Sequence, residues 1–253
     1  NECARALAFA SCGSEEAFAG RMNARAAELG MADTHFISCS GLTESEEHYT
    51  CAHDVAVMSR ALLSHAWIRD YTTIWMDSLR SGESLLVNTN KLLRTFDGAT
   101  GLKTGFTSRA MYCLAGTAER DGTEYIAVVL RASTSAERFE SAKTLLSYAF
   151  ASYTVITALP DSVLTPVPVT LGKSNYVMPV ISSEESVLIR KSDLASVEKH
   201  IELTEGVEAP VEAGDTLMTL DGAESPELTQ ARETLEALEL EYSKLSVPKG
   251  DQT

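Results

Sequence analysis

The residues best suited to chemistry in this 253-residue chain stand in one short run, GATGLKTGFTS, at 98–108. A lysine ammonium is a compact cation suited to a carboxylate, and a threonine hydroxyl can donate or accept beside it. Gly101 and Gly105 bracket that pair, Lys103 and Thr104. Without a Cβ, Gly105 lets another backbone lie against the strand at close range. A Lys-Thr-Gly triplet arises by chance in about 5% of chains this long, so its surroundings must decide. Other chemistry is poorly supplied. The five histidines form no His-Glu-x-x-His or similar cluster, and Cys3, Cys12, Cys39, Cys51 and Cys113 are an odd, scattered set without metal-ligand spacing. They read as buried free thiols. No metal and no organic cofactor is expected.

Elements on both sides must position the run. Residues 112–130 (YCLAGTAERDGTEYIAVVL) hold two strand-like stretches around Arg120-Asp121-Gly122, and Asp-Gly is a strong hairpin signal. Residues 135–150 return to a helical period, with Phe139, Ala142, Leu146 and Ala149 inward. Upstream, residues 2–11 read as a buried helix. Ser14 caps a second helix, with Glu15 and Glu16 in its first turn, Phe18, Met22 and Leu29 on its core face, and Gly30 at its end. Residues 34–42 (THFISCSGL) are short and partly alternating. Thr50 is placed as the cap of a further helix carrying Val55, Met58 and Leu62 on one side. Helices, then antiparallel strands, then a closing helix give an α+β layer rather than a doubly wound parallel sheet.

Composition shifts near residue 155. Short β-type runs broken by Pro, Gly and Ser make residues 160–222 a small all-β module, the first domain being 1–152. Residues 225–246 differ again. Ser225-Pro226 suits a helix start, and Leu228, Ala231, Leu235, Leu238, Tyr242 and Leu245 trace a heptad seam. That amphipathic helix packs on its own chain, on a neighbour such as a second copy, or on a partner elsewhere. A formal net charge of −15 argues against nucleic acid as a partner. The chain starts at Asn1, inside an alanine-rich helical pattern and without Met or signal peptide, and reads as N-terminally truncated.

Several stretches carry a resemblance in the same order: GSEEAFAGRMNARAAELGMADTHF, HYTCAHDVAVMSRALL, NTNKLLRTFDGATGLKTGFTS, YCLAGTAERDGTEYIAVVL and RFESAKTLLSYAF. Over residues 1–220 the chain resembles the serine-type D-alanyl-D-alanine carboxypeptidases, the low-molecular-mass penicillin-binding proteins. The resemblance implies a penicillin-binding-protein-like domain with a serine β-lactamase-like fold, followed by a β-sandwich at 160–222. It implies removal of the terminal D-alanine from peptidoglycan stem peptides through a serine acyl-enzyme, with β-lactams as ligands and an extracytoplasmic location. Lys103, Thr104 and Gly105 match the third motif, Ser-x-x-Lys being the first of the set. Arg138 matches an arginine that supports carboxylate recognition. Asn1 matches the Asn that ends the second motif and contacts substrate.

Two departures stand out. The family's Ser-x-x-Lys, and the serine of its second motif, have no counterpart in family order. The resemblance then implies a nucleophile upstream of Asn1, on a missing segment or an N-terminal fragment of the same protein, and an inactive chain when alone. Ser40 stands where many relatives carry the His of His-Gly-Leu. A hydroxyl replaces a titratable imidazole there. Two other functions fit the same fold. One is a catalytically impaired peptidoglycan-binding or assembly protein that uses the tail helix. The other, a class A β-lactamase, needs Glu-x-x-Leu-Asn, and ESLLVN (83–88) has Val87 where Asn should stand.

Overall fold

The computed structural model describes residues 1–157, 164–179, 186–197, 202–211 and 218–219. The chain divides into two units, Asn1–Ala151 and Ser152–Thr253. The first is α+β, as the sequence led us to expect. Its centre is an antiparallel sheet of β3 (Ala99–Thr107), β4 (Met111–Arg120) and β5 (Thr123–Ala132), in that spatial order. β4 and β5 are joined at Asp121 and Gly122, both at positive φ (51° and 75°). This is the two-residue turn whose twist matches right-handed strands, which is why Asp-Gly marks it in the sequence.

α6 (Ser135–Ser152) covers one face of this sheet. Glu137 accepts from Ser133 N at 2.8 Å and its own N–H donates to Thr134 Oγ1 at 3.0 Å, so the helix start is fixed by reciprocal capping. Phe139, Ala142 and Leu146 from α6 pack with Leu114, Ala118 and Ala127 from the strands. Leu92, fully buried, completes this core from α5 (Leu92–Thr95). A Cβ at position 116 would meet Leu92 Cδ1 at 2.6 Å, so glycine at 116 is what lets that side chain lie on the sheet.

The remaining elements of this unit are α1 (Glu2–Cys12), α2 (Glu15–Glu28), α3 (Ala52–Leu63), α4 (Arg69–Thr72), β1 (Met76–Leu79) and β2 (Ser84–Val87). Ser14 caps α2, its hydroxyl accepting from Ala17 N at 3.0 Å. Several expectations need correction. α1 is a helix but not a buried one: among its residues only Ala8 is buried. Phe18, Met22 and Leu29 are only half-buried and line an apolar cavity. α3 is capped by Cys51, whose Sγ accepts from Asp54 N at 3.4 Å, while Thr50 meets Thr34 Oγ1 at 2.8 Å. Its inward residues are Asp54, Ser59 and Leu63, with Met58 and Leu62 exposed. The cause is Asp54. Its carboxylate accepts from Asp33 N (3.0 Å) and Thr34 Oγ1 (2.7 Å), which rotates that face inward. The cysteines are free, but none is buried.

In the second unit, β6 (Tyr153–Thr157) pairs antiparallel with β9 (Ser186–Arg190). β7 (Val167–Thr170) pairs antiparallel with β8 (Tyr176–Val177) and parallel with β11 (Val207–Glu208); β10 (Glu202–Leu203) pairs with β12 (Met218–Thr219). The heptad helix expected at 225–246 lies outside the described residues.

Candidate active site

Lys103, Thr104 and Gly105 sit in the middle of β3, which pairs on one side with β4 and, among the described residues, has no strand on its other edge. The strand is anchored at both ends. Near its start, Thr72 Oγ1 donates to Thr100 O at 2.7 Å, tying α4 to it. Beyond its end, Ser108 Oγ donates to Glu44 Oε1 (3.1 Å), and Arg109 reaches the Glu44 carbonyl (3.1 Å) and Glu46 Oε1 (2.5 Å). An open strand edge presents unpaired N–H and C=O groups to any extended peptide laid beside it.

Pleating sends neighbours to opposite faces. Lys103 is exposed as a residue, but its ammonium is part-buried where it donates to the Thr104 carbonyl. Loss of hydration, then the charge of Arg138, hold its pKa below the ordinary lysine value. Thr104 turns inward, 8% exposed, with its hydroxyl 2.7 Å from Thr89 Oγ1. A hydroxyl has one proton and two lone pairs, so with Thr89 donating, Thr104 keeps its own proton for a ligand oxygen. Among the described residues nothing demands glycine at 105. Its φ is not positive, and an added Cβ would meet only Cys113 Cβ, at an ordinary 3.9 Å.

Arg138 is buried at 7% exposure beneath this edge. Its Nη1 donates to the Gly105 carbonyl (3.0 Å) and the Cys113 carbonyl (3.2 Å), and Nη2 donates to Ser135 Oγ at 3.4 Å. The β4–β5 register shifts between Tyr112 and Leu114, an irregularity that leaves Cys113 paired with Gly105 of β3 but without a β5 partner. Burial lowers the pKa of Arg138, and its Nε is buried without a hydrogen-bond partner. The guanidinium therefore braces the strand from below while adding positive potential to it.

The other two residues singled out from the sequence lie on separate supports. Ser40 belongs to the loop between α2 and α3, with its Oγ 3.2 Å from Ser38 Oγ and accepting from Leu42 N at 3.4 Å. That loop reaches the β3–β4 turn through Glu44 and Glu46. Asn1 precedes α1, is exposed, and makes no side-chain cap bond. Among the described residues no hydrogen bond joins Asn1 or Ser40 directly to β3. The structure thus brings Lys103, Thr104, Gly105 and Arg138 into one cluster and sets Ser40 on a loop tied to the end of the same strand.

Thr89 was missed in the sequence, where only its place in NTN (88–90) hints at it. The two asparagines fix that turn: Asn88 Oδ1 accepts from Asn90 N (2.9 Å), and Asn90 Oδ1 from Leu92 N (3.2 Å). Phe106, 56% exposed beside Gly105 and 4.4 Å from the Tyr112 ring, adds an aromatic wall. An apolar cavity of about 370 Å³ lies elsewhere, lined by Phe18, Met22, Met31, Phe36 and Met58 among others; none of its lining residues is on β3 or α6. Among the described residues no group of three or more metal-ligating side chains occurs.

The peptidase S11 family model, described as D-alanyl-D-alanine carboxypeptidase, matches residues 1–134. The D-alanyl-D-alanine carboxypeptidase DacF of Bacillus subtilis is 37% identical over 238 residues, 89% of this chain and 61% of that protein. Penicillin-binding protein 5 from Haemophilus influenzae superposes with a TM-score of 0.68 at 25% identity, over 86% of this chain and 65% of that one. Penicillin-binding protein D2 from Listeria monocytogenes, solved in an ampicillin-bound form, gives 0.55 at 36% identity, over 59% of this chain and 62% of that one. The chain belongs to the D-alanyl-D-alanine carboxypeptidase family and has the penicillin-binding-protein fold. It spans less than two thirds of the length of these relatives.

Proposed function

We propose that the natural protein removes the terminal D-alanine from peptidoglycan stem peptides through a serine acyl-enzyme, outside the cytoplasmic membrane. The observation that carries this reading is the cationic cluster of Lys103 and Arg138 at an open strand edge, within a chain of this family. The peptide's extended C-terminal end would lie along β3, with its carboxylate held by Lys103 and Thr104. Serine oxygen would attack the penultimate carbonyl carbon, and the D-alanine amine would leave carrying a proton. Water would then cleave the ester, with backbone N–H groups stabilising the oxyanion in both steps. β-Lactams would acylate the same serine.

The letters Ser-x-x-Lys occur in this sequence only at 196–199 and 246–249. Ser196 Oγ donates to the Asp193 carbonyl at 2.8 Å in the second unit. We assign the nucleophile to neither. A segment or fragment placed before Asn1 in family order would carry it, and this chain alone would be inert as an acyl-transferase. The proposed division is a peptidase domain at 1–152, a β-sandwich at 160–222, and a tail helix at 225–246 suited to self-association. Ser40, already engaged within its loop, favours a second reading, an impaired protein that binds peptidoglycan without turning it over. Fluorescent penicillin added to the full-length natural protein separates the two. A covalent adduct mapped to a Ser-x-x-Lys serine supports the enzyme; a folded protein without adduct defeats it.

A further inference from the structure

Glu15 opens α2, yet its carboxylate does more than face a helix N-terminus. Ser14 already caps that helix. Glu15 Oε1 accepts from Ser38 Oγ (3.0 Å), Cys39 N (3.3 Å) and Cys39 Sγ (3.4 Å), and Oε2 pairs with Arg5 Nε at 3.2 Å. The side chain is 22% exposed. One carboxylate thus links α1, α2 and the loop two residues before Ser40. Arg5 lies one helical turn after Asn1, its N–H donating to the Asn1 carbonyl at 3.1 Å.

We propose that Glu15 is a positioning residue, holding the Ser40 loop and the Asn1 end of α1 in one register for substrate. The inference rests on the carboxypeptidase reading. Its structural basis is a strap with two anchors. At the far end, Glu44 and Glu46 take Ser108 and Arg109 of the turn that follows β3. At the near end, Glu15 takes Ser38 and Cys39. Ser40, Gly41, Leu42 and Thr43 span the interval, and Gly41, at φ 71°, turns the chain within it. Asn23 still holds the Phe36 backbone on both sides (2.7 Å each) and His48 Nδ1 the Ile37 N–H (3.1 Å), so without Glu15 the loop stays attached there, but residues 38–39 lose their direct tie to α2 and Ser40 can shift relative to the strand. The Ser38 and Cys39 hydrogen bonds hold the carboxyl below the usual glutamate range, so it stays ionised and acts as acceptor at neutral pH.

The test uses the full-length natural protein, measuring the rate of acylation by fluorescent penicillin per folded molecule, with thermal unfolding in parallel. Misplacement of a substrate-contacting group slows chemistry steeply, so Glu15→Ala should lower the acylation rate by roughly ten- to hundredfold. Glu15→Gln, which keeps an acceptor oxygen for Ser38 and Cys39, should restore most of it. Ser38→Ala should slow the reaction on its own and add nothing to Glu15→Ala. Wild-type rates per folded molecule in Glu15→Ala overturn the role. If that variant does not fold, a wild-type rate in Ser38→Ala overturns it equally. A wild-type protein that takes no label at all overturns the carboxypeptidase reading, and the Glu15 role with it.

Discussion

Lys103 and Arg138 place two cations at one strand edge in a protein of net charge −15. Such a pair costs stability and makes sense where an anion joins it. The lowered pKa of Lys103 fixes the sign of its pH dependence. Folding disfavours its charged form, so the penalty is fully present at neutral pH. It is relieved as pH rises from the depressed folded value towards the ordinary lysine value. Carboxylate binding runs the opposite way and weakens over that same rise. Lys103→Met should therefore leave the thermal midpoint unchanged or higher while lowering acylation of the full-length protein at least about a hundredfold, the scale of losing a transition-state charge contact. Gly105→Ala should stay within about 0.5 kcal/mol of wild type in denaturant unfolding, because the protein has room for the methyl. It should still slow acylation, because the methyl would stand on the face it shares with Lys103, where the peptide's end is proposed to lie. Thr89→Val should slow acylation by about tenfold, one hydrogen bond's worth, by removing the hydroxyl that orients Thr104 Oγ1. Lysine, threonine and glycine were legible in the sequence as types and spacing. Thr89 was not, because a hydrogen bond across fifteen residues leaves no periodic trace.

At the scale of elements, the strongest local signals held. Asp121-Gly122 makes the β4–β5 turn, Ser14 caps α2, and Phe139, Ala142 and Leu146 form the inward face of α6. These are decided by neighbours in sequence. Errors arose where a tertiary contact overruled the local pattern. In α3 the apolar stripe Val55, Met58, Leu62 gave way to Asp54, Ser59 and Leu63, since a carboxylate that accepts from Asp33 N and Thr34 Oγ1 cannot face solvent. Burial alone would raise the Asp54 pKa, but hydrogen bonds from Thr34, His53 and Asp33 outweigh it and the net shift is downward. Its contribution to stability is therefore present above the unfolded aspartate value and lost as pH falls through the folded one. Asp54→Ala should cost about 2 kcal/mol or more by leaving buried donors unpaired, read as a lower urea midpoint at neutral pH. The difference from wild type should shrink in acid.

At the scale of the molecule, the α+β class and the penicillin-binding-protein fold were legible because long motifs occur in family order, each tied to its own element. What was not legible is how those elements share burial. α1 carries an apolar composition and yet buries only Ala8 among its residues, and Leu79, Leu85, Leu86 and Val87 of the β1–β2 hairpin are exposed. Composition states how much apolar surface a segment has, not what covers it. The same limit separates the cationic edge from its substrate, and one experiment crosses it. Full-length natural protein is offered a peptide ending in D-Ala-D-Ala and the same peptide with its C-terminal carboxylate amidated, and released D-alanine or D-alaninamide is measured for wild type and Lys103→Met. The account predicts fast release from the free acid, little from the amide, and little from either in Lys103→Met. Equal cleavage of acid and amide by the wild type, unaltered by the substitution, would contradict it.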